Sequence, residues 1–173
     1  IFGQGTAAYE VIHDANNPKL DNAIICAGGG GLTAGSCISI KHINPQCNVY
    51  TAEPEEWNDH QLSFEKKERV AMDTNRGGLC DGLLTPTPGE IPFAINQHFG
   101  VSGLAASDEM VCNAMSFAFN RLNLKLEPSG AVALACLLAN KEKFKGSRTL
   151  VMLSGGNVDE ETFATCLAKA TAR

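Results

Sequence analysis

Four consecutive glycines, Gly28 to Gly31, constrain the fold of this chain more than any other feature of its sequence. They follow the apolar run 23–27 and precede a segment with a helical pattern that Pro45 would end. Glycine has no Cβ, so the backbone N–H groups of such a loop can close on a phosphate at the start of the helix. The alternative is a tight turn that only lets strand and helix pack closely. Because one glycine usually suffices for a turn, we favour an anion site for a phosphate ester.

Short apolar runs recur along the chain, at residues 23–27, 49–52, 104–106 and 150–153. Continuous rather than alternating apolarity is typical of strands that are covered on both faces, which favours a parallel sheet. Helical patterns lie between and after these runs, at 31–44, 107–122, 131–139 and 163–170. We therefore predict an α/β fold with an open, mostly parallel sheet and helices on both faces. The sequence contains no repeat or linker that would divide it, so residues 1–173 are expected to form a single domain.

Polar or glycine-rich motifs follow three of the predicted strands. Gly28 to Gly31 follow the first strand, Glu53-Pro54 the second, and Ser154-Gly155-Gly156-Asn157 the last. The carboxyl ends of parallel strands meet at one edge of a sheet, where ligands bind, so these motifs are predicted to share one crevice. The hydroxyl of Ser154 suits a heteroaromatic nitrogen that stays uncharged. Alternatively, the segment from Ser154 to Asn157 could serve only as a cap of the final helix.

The acidic segment 53–59 is a candidate metal loop. Glu53 and Asp59, with a backbone carbonyl between them, offer the oxygen ligands that hard cations such as Mg²⁺ or Ca²⁺ prefer. Acidic loops are more often solvated surface or helix starts, so the spacing alone favours those interpretations over a metal.

Cysteines and histidines show no arrangement that predicts catalysis. The seven cysteines form no CxxC pair and lie mostly in apolar stretches, which indicates reduced, buried thiols rather than a zinc site or a nucleophile. The four histidines have no nearby Ser or Asp that would suggest a catalytic triad, so exposed or capping positions are expected for residues 13, 42, 60 and 98.

The charge and hydropathy of the chain restrict its partners. The sequence has 14 Lys and Arg against 19 Asp and Glu, a net charge of −5, which argues against nucleic acid or an anionic membrane. No apolar run approaches the roughly twenty residues of a membrane helix, and the first residues lack the regions of a secretion signal. A cytoplasmic protein with a small-molecule partner is expected.

In their order and separation, six motifs of the chain resemble the carboxyl-terminal part of the pyridoxal-phosphate-dependent serine/threonine dehydratase and serine racemase family, which has the tryptophan-synthase-like fold. The motifs are Gly3-Gln4-Gly5-Thr6, Gly28 to Gly31 with Leu32, Glu53-Pro54, Asp81-Gly82, Glu127-Pro128 and Ser154-Gly155-Gly156-Asn157. The resemblance implies an ammonia-lyase that converts serine, threonine or 3-hydroxyaspartate to a 2-oxo acid and ammonia. A racemase of the same family is one alternative, and a non-catalytic fragment that binds a phosphate ligand is another.

The resemblance also implies a role for particular residues. The backbone N–H groups of Gly28, Gly29, Gly30, Gly31 and Leu32 would hold the phosphate of pyridoxal phosphate, and Ser154 would hydrogen-bond its pyridine nitrogen. Gly82 would let the backbone lie close to the ring, and Glu127 would stand near the cofactor. Metal-dependent members carry a Glu, a carbonyl four residues on and an acid two further on. In this sequence Glu53, Trp57 and Asp59 match that pattern. The expected metal is therefore Mg²⁺, Mn²⁺ or Ca²⁺.

Part of the family's active site has no counterpart in this sequence. The Schiff-base lysine lies in an amino-terminal segment of the family, and none of the lysines here sits in a matching motif. The chain, whose first residue is Ile1, is therefore expected to be the carboxyl-terminal, large-domain part of a longer enzyme and to be inactive without the missing segment. The other partners expected are a small amino-acid substrate and a second copy in a homodimer.

Overall fold

Four parallel strands form a sheet at the centre of the protein, in a computed structural model that describes residues 1–14, 16, 19–73, 75 and 77–170. The strands are β1 (Asn22–Cys26), β2 (Asn48–Pro54), β3 (Ser102–Ala106) and β4 (Thr149–Val151). Their order is β3-β2-β1-β4, and Ala23 of β1 lies opposite Val49 of β2 and Leu150 of β4. The predicted parallel sheet is confirmed, and each predicted strand overlaps an observed one.

Helices cover both faces of this sheet. They are α1 (Phe2–Asp14), α2 (Gly31–Ile43), α3 (Asp59–Lys66), α4 (Glu90–His98), α5 (Asp108–Leu122), α6 (Pro128–Ala139), α7 (Lys141–Phe144) and α8 (Glu160–Lys169), with 3₁₀ turns at Glu55–Trp57 and Asp81–Leu83. The sequence pattern predicts α2, α5, α6 and α8. It does not predict α1, which contains helix-weakening glycines. One of them, Gly5, is buried where α1 crosses α2, and a Cβ there would lie 2.5 Å from the carbonyl oxygen of Gly35.

Two apolar layers explain why the strands are continuously apolar. Ile24 and Cys26 of β1 face a cluster that includes buried residues of α5, α6 and α8. Ala23 and Ile25 face the other way, toward buried residues of α1 and α2. Helix α6 is buried from Pro128 to Cys136, as its uniformly apolar sequence predicts. Because both faces are covered, β1 is buried along its whole length.

Polar caps fix the starts of two helices, and the strand order defines the edge of the sheet where a ligand can bind. Ser107 caps α5 by accepting a hydrogen bond from the Met110 amide at 3.4 Å, and Asp159 caps α8 by accepting one from the Thr162 amide at 2.8 Å. The chain passes from β1 to β2 and β3 on one side, whereas β4 pairs with the other side of β1. The carboxyl ends of β1 and β4 therefore form a topological switch point, the usual ligand crevice of such sheets.

Among the described residues, no helix has the length and apolar content needed to cross a bilayer.

Candidate functional site

The four glycines between β1 and α2 have different surroundings. A Cβ on Gly28 would lie 3.0 Å from Thr85 Oγ1. Gly30 has a left-handed φ of +85°, and the His60 ring lies against it. Packing therefore explains why glycine stands at these two positions. Gly29 and Gly31 have φ outside the left-handed region, and a Cβ on either would meet no heavy atom of the described residues within 4 Å. A tight turn does not require glycine at these two positions. Their bare main chain, open on one side, fits a bound ligand.

Two carbonyl contacts orient the amides of this glycine loop (Gly28 to Gly31). The carbonyl of Gly28 accepts a hydrogen bond from His60 Nε2 at 2.8 Å, and that of Gly29 accepts one from the Gly89 amide at 3.0 Å. A trans peptide points its C=O and N–H in opposite directions, so the N–H groups of Gly29 and Gly30 face away from these contacts.

The start of α2 adds to these amides. The N–H groups of Gly31 and Leu32 lie in its first turn, where helical amides have no partner within the helix. Four amides and the positive end of the helix dipole thus form a cradle suited to an anion.

Ser154 lies at the same edge of the sheet as the glycine loop. Its hydroxyl is 2.9 Å from the thiol of Cys26, the last residue of β1. Burial raises the pKa of the Cys26 thiol, so the thiol stays protonated and can donate to the Ser154 oxygen. The hydroxyl hydrogen of Ser154 can then donate to a ligand atom. The structure therefore brings Ser154 against the end of β1, the strand that leads into the glycine loop.

Gly82 lies against the glycine loop. Its carbonyl oxygen is 3.3 Å from where a Cβ on Gly28 would lie. The amide of Gly82 donates to Ser129 Oγ at 3.0 Å, and a Cβ on Gly82 would lie 3.1 Å from that oxygen. Ser129, in the first turn of α6, thus fixes the distance between the 3₁₀ turn and the helix. Ser129 is not among the candidate residues that the sequence indicated.

Glu127 contacts the loop that carries Ser154. Its Oε2 accepts a hydrogen bond from the Asn157 amide at 2.9 Å, and its own amide donates to the Gly155 carbonyl at 3.1 Å. A Cβ on Gly155 would clash with the carboxylate of Glu127, so the glycine there permits this contact. Glu127 therefore holds residues 154–157 in place, a role that the sequence did not indicate.

Glu53 and Asp59, here called the acidic pair, are fully buried, with no exposed surface. The interpretation as solvated surface is wrong for these two acids, because Glu53 lies within β2, whereas Asp59 begins α3, as the helix-start interpretation expects. The carboxylate of Glu53 accepts hydrogen bonds from the amides of His60 at 2.7 Å and Gln61 at 2.9 Å. Neither carboxylate oxygen of Asp59 has a hydrogen-bond partner in another of the described residues.

Burial and mutual repulsion make the acidic pair unfavourable without a cation. Burial raises the pKa of Glu53 well above its usual value, and the neighbouring Asp59 raises it further. Burial also raises the pKa of Asp59 to about 7. A buried carboxylate without a partner is costly unless a cation or donor compensates it, so the pair fits a hard cation. Within the described ranges no three His, Cys, Asp or Glu side chains form a metal cluster, so such a cation would also need carbonyl or water ligands. Trp57, the intervening residue of the predicted set, is buried, and its indole N–H donates to the Gly77 carbonyl at 3.3 Å.

His60 is the functional candidate that sequence reasoning missed. The expectation of an exposed or capping residue is wrong for His60, which has no exposed surface, whereas His13, His42 and His98 are exposed. Burial lowers the pKa of His60 to about 4, so the ring is neutral near pH 7. A carbonyl can only accept, so Nε2 carries the proton that is donated to Gly28, and Nδ1 is left without a partner among the described residues.

All seven cysteines are buried and free, which confirms the prediction of reduced, buried thiols.

The chain is similar to known proteins over almost its whole length. A family model described as "Pyridoxal-phosphate dependent enzyme" matches residues 1–155. The chain is 39% identical over 169 residues to serine racemase of Schizosaccharomyces pombe, covering 98% of this chain and 51% of that protein. It is 34% identical over 168 residues to L-threo-3-hydroxyaspartate ammonia-lyase of Saccharomyces cerevisiae, covering 97% and 51%. Its fold is similar to that of the processed form of threonine deaminase isoform 2 from Solanum lycopersicum, with a TM-score of 0.87 and 28% identity over 98% of this chain and 49% of that one. The chain spans about half the length of these relatives.

Proposed function

The chain belongs to the family of pyridoxal-phosphate dependent enzymes, and we propose that it forms part of an ammonia-lyase acting on a β-hydroxy amino acid. The reaction would convert L-serine, L-threonine or 3-hydroxyaspartate to a 2-oxo acid and ammonia. The observation that carries this proposal is the glycine loop, whose bare residues Gly29 and Gly31 leave an open cradle of amides beside Ser154. A longer enzyme, in which residues 1–173 form one domain, would supply the lysine that the sequence lacks.

The amides at Gly28 to Leu32 would hold the phosphate of the cofactor. The helix terminus alone contributes up to about 2 kcal/mol, so several N–H donors are needed to hold a dianion. The contacts to the carbonyls of Gly28 and Gly29 support this role, because they turn the following amides away from His60 and Gly89. When bound, pyridoxal phosphate supplies an electron sink for the reacting carbon of the substrate.

Ser154 would donate its hydroxyl hydrogen to the ring nitrogen. A neutral hydroxyl does not stabilise a protonated ring as a carboxylate would, which suits β-elimination better than transamination. Cys26 and Glu127 support this role from two sides, since the thiol contacts the hydroxyl and the carboxylate holds the backbone of the same loop. The backbone at Gly82 would lie close to the ring, held there by the hydrogen bond from its amide to Ser129.

The acidic pair would hold a divalent cation, with Mg²⁺, Mn²⁺ or Ca²⁺ as candidates. Its ligands would be the carboxylates of Glu53 and Asp59 and the backbone carbonyl of Trp57. The support is the full burial of both acids together with the unpartnered oxygens of Asp59. A cation would compensate the repulsion between the two carboxylates and so stabilise the junction between β2 and α3.

A racemase remains the second candidate, because the relative that is 39% identical is a serine racemase. The two activities differ in their products. The test is to supply the full-length protein and pyridoxal phosphate with L-serine, L-threonine and L-threo-3-hydroxyaspartate, and to follow 2-oxo acid and D-amino acid. Formation of 2-oxo acid is expected, whereas D-serine alone would favour the racemase. Cofactor binding without any turnover would indicate a non-catalytic binding protein.

The same preparation tests the remaining expectations from the sequence. Sedimentation of the full-length protein would show whether it is the homodimer that the resemblance implies. A cytoplasmic location also stays a prediction, to be checked by fractionation of cells that produce the protein.

A further inference from the structure

His60 lies between the acidic pair and the glycine loop and contacts both. Its backbone amide donates to the carboxylate of Glu53 at 2.7 Å, and it follows Asp59 directly in the first turn of α3. Its ring donates from Nε2 to the carbonyl of Gly28 at 2.8 Å and fills the space beside Gly30, where a Cβ would clash with it. One residue thus contacts the candidate cation site through its main chain and the candidate phosphate site through its side chain.

The ring of His60 is held firmly in this position. It is fully buried, and its centroid lies 5.8 Å from that of Phe64, which in turn stacks on Phe93 of α4 at 5.8 Å and 13°. The residue that caps α4, Gly89, donates to the carbonyl of Gly29. Helices α3 and α4 therefore hold consecutive carbonyls of the glycine loop. In a close-packed interior, a displacement of the first turn of α3 is transmitted to the loop.

On the basis of the proposed function, we propose that His60 is a positioning residue that couples the acidic pair to the glycine loop. A cation between Glu53 and Asp59 would bridge the end of β2 and the first turn of α3, and so hold the ring of His60 in its position against Gly28. The amide of Gly29 is then oriented for phosphate. Cation and phosphate ester each strengthen the binding of the other, and thermodynamic linkage requires the same factor in both directions.

The coupling is measured first in the full-length protein after removal of pyridoxal phosphate and metal. Pyridoxal phosphate is titrated with and without saturating Mn²⁺, with absorbance as the readout. Mn²⁺ is titrated with and without pyridoxal phosphate, with the electron paramagnetic resonance signal of free Mn²⁺ as the readout. Each ligand is expected to tighten the binding of the other by about fivefold or more. Equal affinities with and without the second ligand would overturn the coupling.

Two substitutions then separate the hydrogen bond of His60 from its shape. His60→Gln keeps a side-chain N–H donor for the Gly28 carbonyl, whereas His60→Phe keeps a ring and loses the donor. His60→Phe is expected to weaken binding of pyridoxal phosphate roughly three- to tenfold, as for the loss of one hydrogen bond, and to remove the effect of Mn²⁺. His60→Gln should keep most of the affinity for pyridoxal phosphate and most of the effect of Mn²⁺. His42→Ala, at an exposed position of α2, is the matched control and should behave as the parent.

The outcomes distinguish this inference from the proposed function. If the parent protein does not bind pyridoxal phosphate, the proposed function fails and the inference fails with it. If the parent binds pyridoxal phosphate but His60→Phe keeps the parent affinity and the parent response to Mn²⁺, only the role of His60 is refuted. Should His60→Phe not fold, as judged by thermal melting, the parent titrations and His60→Gln still decide the question.

Discussion

The thiol of Cys26 lies 2.9 Å from the hydroxyl of Ser154, although 128 positions separate the two residues in the chain. The contact joins the end of β1 to the segment that follows β4, across the switch point of the sheet. It also supplies a protonated donor to the serine oxygen, since burial raises the pKa of the thiol. This relationship makes the serine hydroxyl a directed donor at the crevice.

Replacement of the serine hydroxyl tests whether it contacts the cofactor ring. Ser154→Ala should lower turnover to 2-oxo acid about fivefold, because it removes one hydrogen bond of about 1 kcal/mol. Its melting temperature should stay close to that of the parent, since Ser154 is exposed. Steady-state kinetics and thermal melting of the full-length protein provide the comparison. Unchanged turnover would show that Ser154 does not contact the ring.

Substitution of the thiol tests how the serine is oriented. Cys26→Ala leaves Ser154 in place but removes its donor, so turnover should fall, whereas Cys26→Ser retains a donor and should recover most of the activity. Cys26→Ala also leaves a small cavity in the apolar layer around Ile24, at a cost of about 1 kcal/mol of stability. Turnover is compared among the three proteins. Equal activity of the two variants would refute a role for the thiol in orienting Ser154.

Alanine scanning of the glycine loop separates a ligand site from a tight turn. Gly29→Ala and Gly31→Ala should leave the melting temperature unchanged or raise it, because a Cβ meets no described atom, yet should weaken binding of pyridoxal phosphate. Gly30→Ala should destabilise the fold by more than 1 kcal/mol, since φ is +85° and His60 occupies the space. Denaturant unfolding and cofactor titration measure the two effects. Parent-like cofactor affinity in both Gly29→Ala and Gly31→Ala would favour the tight turn.

The acidic pair predicts a pH dependence of stability in the absence of metal. Burial raises the pKa of Asp59 to about 7, above the value of about 3.9 in an unfolded chain. Between about pH 4 and pH 7 the folded state therefore binds more protons than the unfolded state, and the free energy of unfolding should fall as pH rises. Glu53, whose pKa is also raised, acts in the same direction.

Asp59→Asn should reduce this fall of stability with pH, leaving the part due to Glu53. The measurement is urea unfolding in the presence of a chelator across that pH range, with the exposed acid substitution Glu55→Gln as the control. At pH 7, Mg²⁺ or Mn²⁺ should stabilise the parent and the control more than Asp59→Asn. A parent-like slope and a parent-like metal response in Asp59→Asn would rule out a cation at the acidic pair.

Local patterns in the sequence predicted the sheet and half of the α-helices that the structure describes. Continuous apolar runs predicted the four strands of the described residues, and apolar spacing predicted four of their helices. Helices α3 and α4 were not predicted, because α3 has only 8 residues and α4 contains Pro92 in its first turn. In both cases tertiary packing overrides a weak local preference.

The sequence by itself determined the parallel sheet, the run of glycines before α2 and the polar motifs at the strand ends, because strand, helix and turn preferences depend on residues close together in the chain. Only the tertiary structure decided that Gly28 and Gly30 serve packing while Gly29 and Gly31 stay open. It also decided that Glu53, Asp59 and His60 are buried together at the junction of β2 and α3. Burial and the partners of a polar group are set by segments distant in sequence that fold against one another, and no local pattern encodes them.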